Sequence, residues 1–226
     1  GLDLADNVQV GSGNPIRMAA IVHEFSSDNF DFWAESFAGT ALSSVWSNGQ
    51  FSGTPTIEEL NKTTCATVTG TTEKGAVAAA SVVTDFSATT YRIEMFILPV
   101  NGTHAGTYRL HARMDASSPV SSTDGVIAEL TLAGAVYSGS LKRYVSGVLT
   151  TNSFSGSTSA GVMPGWFVLE VSSTNTIKCY WRDNLLLNQS GISAAVGQRF
   201  GFSLVGSSST AKAAIDRFRV QYYRTS

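Results

Sequence analysis

The last third of this chain alternates apolar and polar side chains over short runs. In the run 177–182, apolar side chains occupy every second position, from Ile177 to Trp181, and polar or amphipathic ones occupy the positions between them. The run 217–222 repeats this pattern with Phe218 and Val220 on its apolar face. A period of two residues is typical of half-buried antiparallel strands. Helical periodicity is nearly absent, so the sequence predicts an all-β, antiparallel two-sheet sandwich.

The same alternation extends upstream and is separated by turn-forming residues. Residues 91–98 alternate before Asn101-Gly102, a dipeptide typical of tight hairpins, and residues 108–115 are expected to form the return strand. That strand places Tyr108 and Leu110 inward. The outward faces of the predicted strands carry several cations, which we interpret as a solvated surface or as salt bridges to a neighbouring subunit. They are Arg109, Arg113, Lys178, Arg182, Arg217 and Arg219.

Length and charge narrow the classes of protein. The 226 residues are within the range of one large β-sandwich, and only 14% are charged, against roughly 25% in typical soluble domains. The formal net charge of −2 provides no positive field for nucleic acid or an anionic membrane, so neither is an expected partner. No run of 18 apolar residues predicts a membrane span. Two cysteines do not make a disulfide framework, and we expect Cys179 to be a buried free thiol.

The first 28 residues differ from the rest. They contain Gly11-Ser12-Gly13-Asn14-Pro15 and show weak periodicity, so we divide the chain into an extended N-terminal arm, 1–28, and a jelly-roll domain, 29–226. A terminus stays ordered only when it is tied down, so the arm is expected to dock on a partner chain. The alternative, a first strand of the same domain, remains open. The apolar residues proposed for docking are Leu2, Leu4, Ile16 and Met18.

Three pieces of sequence resemble known domains. Residues 37–46 are similar to a loop that ends in a buried Trp, residues 165–184 to a characteristic hairpin, and residues 214–220 to a closing strand. In this order they resemble the concanavalin A-like lectin/glucanase jelly rolls, and within them the laminin G-like domains, over residues 30–224. The resemblance implies a carbohydrate-binding module, a glycoside hydrolase or a structural part of a phage particle. The Ser/Thr/Gly-rich, cysteine-poor composition looks most like the phage group.

The residues do not support catalysis. A glycoside hydrolase of this kind needs two carboxylates flanking the sugar bond, but Glu94 and Glu129 are solitary on their strands. Asp28, Asp31 and Glu35 come closest to a cluster, and we interpret them as solvated acids. No Gly-x-Ser-x-Gly elbow supports a nucleophilic serine. The domain is therefore predicted not to be an enzyme.

No cofactor and no metal site are predicted. His111 alternates with Arg109 and Arg113, whose charges oppose a metal cation. The resemblance implies calcium as the candidate metal, because related lectins and laminin G domains carry a calcium site. The aspartates that could ligate it are scattered: Asp31, Asp115, Asp124, Asp183 and Asp216.

Two functions remain. The first is a non-enzymatic phage virion protein, a capsid decoration or cement protein or a tail or fibre component. It would form a homo-oligomer, expected to be a trimer, and bind other virion proteins such as the major capsid or tail proteins. The alternative is a lectin-like module that recognises cell-surface glycans through Trp33 and Trp166, while Trp46 and Trp181 are expected in the core.

Overall fold

The protein is described here by a computed structural model covering residues 30–49, 51–60, 62–79, 91–116, 122, 124–159, 161–171, 176–190 and 199–223. These residues form strands and turns. The strands are β1 Phe30–Glu35, β2 Trp46–Ser47, β3 Thr56–Leu60, β4 Thr63–Thr69, β5 Lys74–Ala78, β6 Tyr91–Leu98, β7 Ala105–Met114, β8 Gly125–Ala133, β9 Val136–Val145, β10 Val148–Ser157, β11 Gly165–Val171, β12 Ile177–Trp181, β13 Asn184–Gln189, β14 Arg199–Gly206 and β15 Lys212–Tyr223. Within these ranges no helix is long and apolar enough to cross a membrane.

The described strands form two antiparallel sheets. The eight-stranded sheet has the order β13-β12-β11-β6-β15-β4-β3, and β1 also pairs with β15. The seven-stranded sheet has the order β10-β9-β8-β7-β14-β5-β2. The all-β, two-sheet sandwich predicted from the alternation is therefore confirmed. The arm, 1–28, with Leu2, Leu4, Ile16 and Met18, lies outside the described residues, so its docking role stays a prediction.

The core lies between the two sheets. The inward residues of β7, Tyr108 and Leu110, are fully buried, as their alternation predicts. Trp46 and Trp181, expected in the core, are 8% and 2% exposed. The Trp46 indole packs edge-on against Phe218 of the eight-stranded sheet, with ring centroids 5.2 Å apart, and its other aromatic neighbours come from β14. Aromatic packing of this kind stabilises beyond the apolar area that it buries.

The loop that leads into Trp46 is organised by Glu35. Its carboxylate accepts hydrogen bonds from the backbone N–H of Phe37 at 3.0 Å, the hydroxyl of Ser43 at 2.6 Å and the indole N–H of Trp46 at 3.1 Å. Phe37 has a φ of 55° and is 1% exposed, so a bulky side chain enters the core from a left-handed backbone conformation. The interpretation of Glu35 as a solvated acid is therefore wrong, because three donors converge on it.

One predicted pairing is also wrong. Asn101 and Gly102 do form a tight turn, with φ of 51° and 72° and a bridge between Val100 and Thr103. The strands that the turn joins do not pair with each other, because β6 pairs with β11 and β15 and β7 pairs with β8 and β14. The turn carries the chain from one sheet to the other.

Candidate functional site

A row of polar side chains crosses the outer face of the seven-stranded sheet. Antiparallel register places five residues side by side on neighbouring strands; they are Ser203, Arg109, Glu129, Ser140 and Ser153, and we call them the polar row. Neighbouring strands lie about 4.8 Å apart, so the row extends for roughly 19 Å across the sheet. It runs perpendicular to the strands, and because Ser203 on β14 is fully buried, a ligand lying along the accessible part of the row would contact β7, β8, β9 and β10 in turn.

Charged groups bind one another along this row. The guanidinium of Arg109 contacts Glu73 at 2.8 Å and Glu129 at 2.7 Å, and the amine of Lys142 contacts Glu129 at 3.1 Å. Burial raises the pKa of Glu129, but hydrogen bonds and charge from Arg109 and Lys142 outweigh it and hold the pKa below its ordinary value. Glu129 is therefore ionised at neutral pH. Arg109 is not a solvated cation, because Glu73 and Glu129 of the same chain pair with it. Its contact with a neighbouring subunit stays a prediction.

A shallow groove of about 540 Å³ adjoins the row over β8, β9 and β10. Its walls are mainly hydroxyl groups; the side chains that supply them and the adjoining carboxylate are Thr131, Ser138, Ser140, Thr151, Ser153, Ser155 and Glu129. At one end of the same face, Tyr144 pairs with Leu149 across β9 and β10, and Leu149 is 50% exposed. This face of the sheet therefore combines a groove rich in hydrogen-bonding groups with an aromatic and apolar end outside the groove.

An aromatic ring covers the other end of the face. Phe51 lies over β5 and β7, and its ring centroid is 5.6 Å from that of His111. A Cβ placed on Gly75 would lie 2.5 Å from a ring carbon of Phe51, so only glycine leaves room for the ring there. The ring covers His111, which is 2% exposed.

Ser203, His111 and Glu73 form a contact that looks like a catalytic triad but has the wrong proton arrangement. The Ser203 hydroxyl donates to Glu73 at 2.5 Å, and the His111 Nε2 atom lies 2.9 Å from the Ser203 Oγ. A hydroxyl has one proton, so His111 must donate to Ser203 from Nε2. Burial, with the charges of Arg109 and Lys142, lowers the pKa of His111 to about 3. The ring is neutral, and its Nε2 atom already carries a proton, so it cannot accept the proton of Ser203, which is itself fully buried.

Trp166, predicted to bind sugar, lies on the outer face of the other sheet. Its ring centroid is 5.0 Å from that of Phe96, and the guanidinium carbon of Arg219 is 4.0 Å from the indole. Arg219 also bonds the fully buried Glu94, so this cation is fixed over the indole. Trp33 belongs to β1 of the same sheet, opposite Val220. Neither tryptophan lies on the sheet that carries the polar row, and their binding role stays a prediction.

The polar row was missed because its members lie far apart along the chain. In the sequence, Arg109 is one of several outward cations, Glu129 is the single acid of its strand, and Ser203 is one of many serines. The outward alternation of β7 and β8 is the signal that sequence offers. The pairing of Arg109 with Glu129 depends on the register between those strands, which the sequence does not specify.

The histidine, cysteine and acidic side chains of the described ranges do not form a metal centre. In those ranges no three His, Cys, Asp or Glu residues converge on one point. Asp115 accepts the backbone N–H of Asp124, and Asp124 accepts that of Ser146, so both carboxylates hold turns. Cys65 and Cys179 are buried free thiols, and burial raises their pKa to about 11 and about 12.

Comparison with known proteins identifies the fold. No protein-family model and no curated protein matches the sequence. Among solved structures, the Emp47p carbohydrate recognition domain matches at 10% identity, covering 88% of this chain and 99% of its own, with a TM-score of 0.57. LamAcat from Zobellia galactanivorans matches at 8% identity, covering 87% and 98%, with a TM-score of 0.59. The CBM2 module of the evolved Dit of Lactobacillus casei BL23 phage J-1 matches at 8%, covering 88% and 98%, with a TM-score of 0.57.

These likenesses define the fold. The chain has the concanavalin A-like lectin/glucanase jelly-roll fold, as the resemblance in its sequence implies. At such low identity they show the architecture alone, which hosts proteins of different function.

Proposed function

We propose that this domain binds carbohydrate without hydrolysing it, and that the sugar rings lie along the polar row and groove of the seven-stranded sheet. The observation that carries the proposal is the row itself, where Arg109, Glu129 and Lys142 adjoin a groove of about 540 Å³ rich in hydroxyls. Lectin-like binding was the alternative from the sequence, and the names of the similar solved structures support it: a carbohydrate recognition domain and a carbohydrate-binding module.

The chemistry of the row suits a polyol. Sugar hydroxyls both donate and accept hydrogen bonds, so they match a surface that offers a carboxylate, cations and hydroxyls side by side. Tyr144, on the same face two residues beyond Lys142, provides an aromatic surface for the apolar face of a sugar ring. The part of the row from Arg109 to Ser153 spans roughly 14 Å and accommodates more than one ring, which favours an oligosaccharide over a single sugar.

The absence of hydrolysis is part of the proposal. A glycoside hydrolase needs one carboxylic acid that keeps its proton until it reaches the leaving oxygen. Glu129 has a lowered pKa, and Arg109 stands between it and Glu73 as a shared counter-charge. The lowered pKa favours the ionised form of Glu129, so Glu129 is not a suitable general acid.

Glycan-array binding tests the site. We expect Tyr144→Ala and Glu129→Gln to abolish binding to the preferred glycan, and Tyr180→Ala, a matched change on β12 of the other sheet, to retain it. Loss of binding in Trp166→Ala with retention in Tyr144→Ala and Glu129→Gln would place the ligand on the other sheet and overturn the proposal. Release of reducing ends from the bound polysaccharide that disappears in Glu129→Gln would overturn the non-catalytic part.

A second candidate is the phage structural role, with the domain in a virion and assembled as a homo-oligomer. The observation that favours it is the fold shared with the CBM2 module of a phage Dit protein. Light scattering during size-exclusion chromatography tests it. A trimer that dissociates on deletion of residues 1–28 is expected, and a monomer with and without those residues would contradict it.

A further inference from the structure

Between the edge strands of the two sheets lies a small polar crevice. β10 ends the seven-stranded sheet and β13 ends the eight-stranded sheet, and the Asn152 amide N–H₂ donates to the Gln189 side-chain oxygen across the gap. The crevice has a volume of about 30 Å³ and is lined by Leu141, Arg143, Thr150, Asn152 and Gln189. It is distinct from the groove, because Thr151 and Ser153, which line the groove, lie on the opposite face of β10.

Arg143 points into this crevice. It pairs with Val126 on β8 and Thr150 on β10, and Val126 is a core residue, so register puts the Arg143 side chain on the inner side of the sheet. Its Nε–H is buried and has no hydrogen-bond partner in the part of the chain that the structure describes. A buried donor that is left unpaired destabilises the fold, and more so when it belongs to a charged group.

The lining of the crevice supplies no counter-charge to Arg143, because it contains no Asp or Glu. Thr150 and Asn152 add a hydroxyl and an amide to the same crevice. The lining is therefore a guanidinium with neutral polar groups, which attracts an anion.

The size of the crevice selects the anion. A site for one water needs about 10–15 Å³, so about 30 Å³ holds two oxygen-sized positions. Two oxygens side by side are the geometry of a carboxylate, which guanidinium groups bind through two parallel hydrogen bonds. A single water would satisfy the Nε–H but would leave the positive charge without a partner.

We propose that the crevice between β10 and β13 is a carboxylate-binding site with Arg143 as its charged ligand. The carboxylate comes either from a free small acid or from a uronic acid unit of a glycan. The site does not depend on the groove, and it would function if the groove bound nothing.

The arginine Nε–H signals in a ¹H–¹⁵N NMR spectrum test the proposal on the full chain. Acetate, sodium glucuronate, an oligogalacturonate and its methyl-esterified, neutral counterpart are titrated at constant ionic strength against chloride, and Arg143→Lys assigns the signal. We expect acetate and glucuronate to shift the Arg143 signal to saturation. The signal of Arg217, whose side chain is 55% exposed, should move little and serves as the control.

The probes separate the two sources of the carboxylate. A glycan carboxylate predicts that oligogalacturonate saturates the signal at an at least tenfold lower concentration than acetate, a difference of about 1.4 kcal/mol, and that the esterified form has no effect. Equal affinity of acetate and oligogalacturonate assigns the site to small acids. An Arg143 signal that no carboxylate moves, or that chloride moves equally, overturns the proposal and assigns the crevice to ordered water.

Two variants probe the two kinds of donor in the crevice. Arg143→Lys keeps the charge but loses the planar pair of donors, so we expect about tenfold weaker acetate binding, measured on the side-chain amide signals of Asn152 and Gln189 because this variant lacks the arginine signal. Thr150→Val removes one neutral donor at an exposed position without altering the shape of the side chain, and should weaken binding about threefold. Unchanged affinity in both variants contradicts the assignment, and Thr150→Val, read on the same amide signals, keeps the test decisive even if Arg143→Lys does not fold.

Discussion

Stability should fall on acidification because His111 is buried without a charge. The pKa of His111 is lowered from its ordinary value of 6.5 to about 3 by burial and by the charges of Arg109 and Lys142. The unfolded chain therefore binds a proton at a higher pH than the folded chain does. The stabilisation is complete above pH 6.5 and is lost progressively as the pH falls toward the folded-state pKa. Between pH 7 and pH 5, at about 1.36 kcal/mol per unit, the loss from His111 is about 2 kcal/mol.

Urea unfolding followed by tryptophan fluorescence at about pH 7 and about pH 5 measures this loss. His111→Gln is the informative variant, because its amide can still donate to Ser203 and it does not titrate. The variant will be less stable than the unaltered protein at both pH values. Its loss of stability between pH 7 and pH 5 should be smaller than that of the unaltered protein by about 2 kcal/mol. The range from pH 7 to pH 5 lies above 4.5, the ordinary pKa of Glu58 and Glu129. The pKa values of both carboxyl groups are lowered in the folded protein, so they affect stability only at more acidic pH.

Equal pH dependence in the two proteins would refute the argument. It would mean that His111 is protonated in the folded state, with its charge balanced through Ser203 and Glu73. His104→Gln is the matched control, since burial lowers the pKa of His104 as well, and its Nε2 bonds the Met163 carbonyl at 2.8 Å. That variant should remove a separate part of the acid sensitivity.

Three further substitutions test the packing of the outer faces and the entry loop. Glu35→Ala removes the acceptor of three hydrogen bonds and should cost about 2–3 kcal/mol in urea unfolding; an unchanged midpoint would show that water replaces the carboxylate. Gly75→Ala places a methyl group against the Phe51 ring, so it should lower the melting temperature and displace the ring. The displacement should be visible as a loss of near-ultraviolet circular dichroism, and a fully native spectrum would contradict the close approach of Gly75 and Phe51. Arg219→Met leaves the fully buried Glu94 with one cation fewer and should destabilise by about 3 kcal/mol, whereas a neutral effect would show that Glu94 does not depend on it.

Local patterns predicted the strands well. The side-chain period of two identified the inward faces of β7 and β12, because alternation depends only on neighbouring residues. The turn at Asn101-Gly102 was also correct in its backbone conformation, since its chemistry is local. Its strands were assigned to one hairpin in error, because pairing is decided by distant strands: β6 lies between β11 and β15, and β7 lies between β8 and β14.

The candidate site was less accessible to sequence analysis. Ser203 and His111 are 92 residues apart and meet only because β14 lies beside β7. Glu35 was read as a solvated acid, and its three donors could not be foreseen, because they depend on the left-handed backbone at Phe37. The resemblance predicted the architecture, but the positions of charges on a sheet surface depend on register, which tolerates many sequences.

The last two strands set when the domain can form during synthesis. β14 lies between β7 and β5, and β15 lies between β6 and β4, so residues 199–223 provide a central strand to each sheet. Until they leave the ribosome, the upstream strands have unpaired edges and an open apolar interior. Such long-range pairing is slow and leaves partly folded chains prone to aggregation. Chaperone dependence should therefore be highest before residues 199–223 have emerged, and nascent chains stalled before residue 199 should be sensitive to protease throughout both sheets.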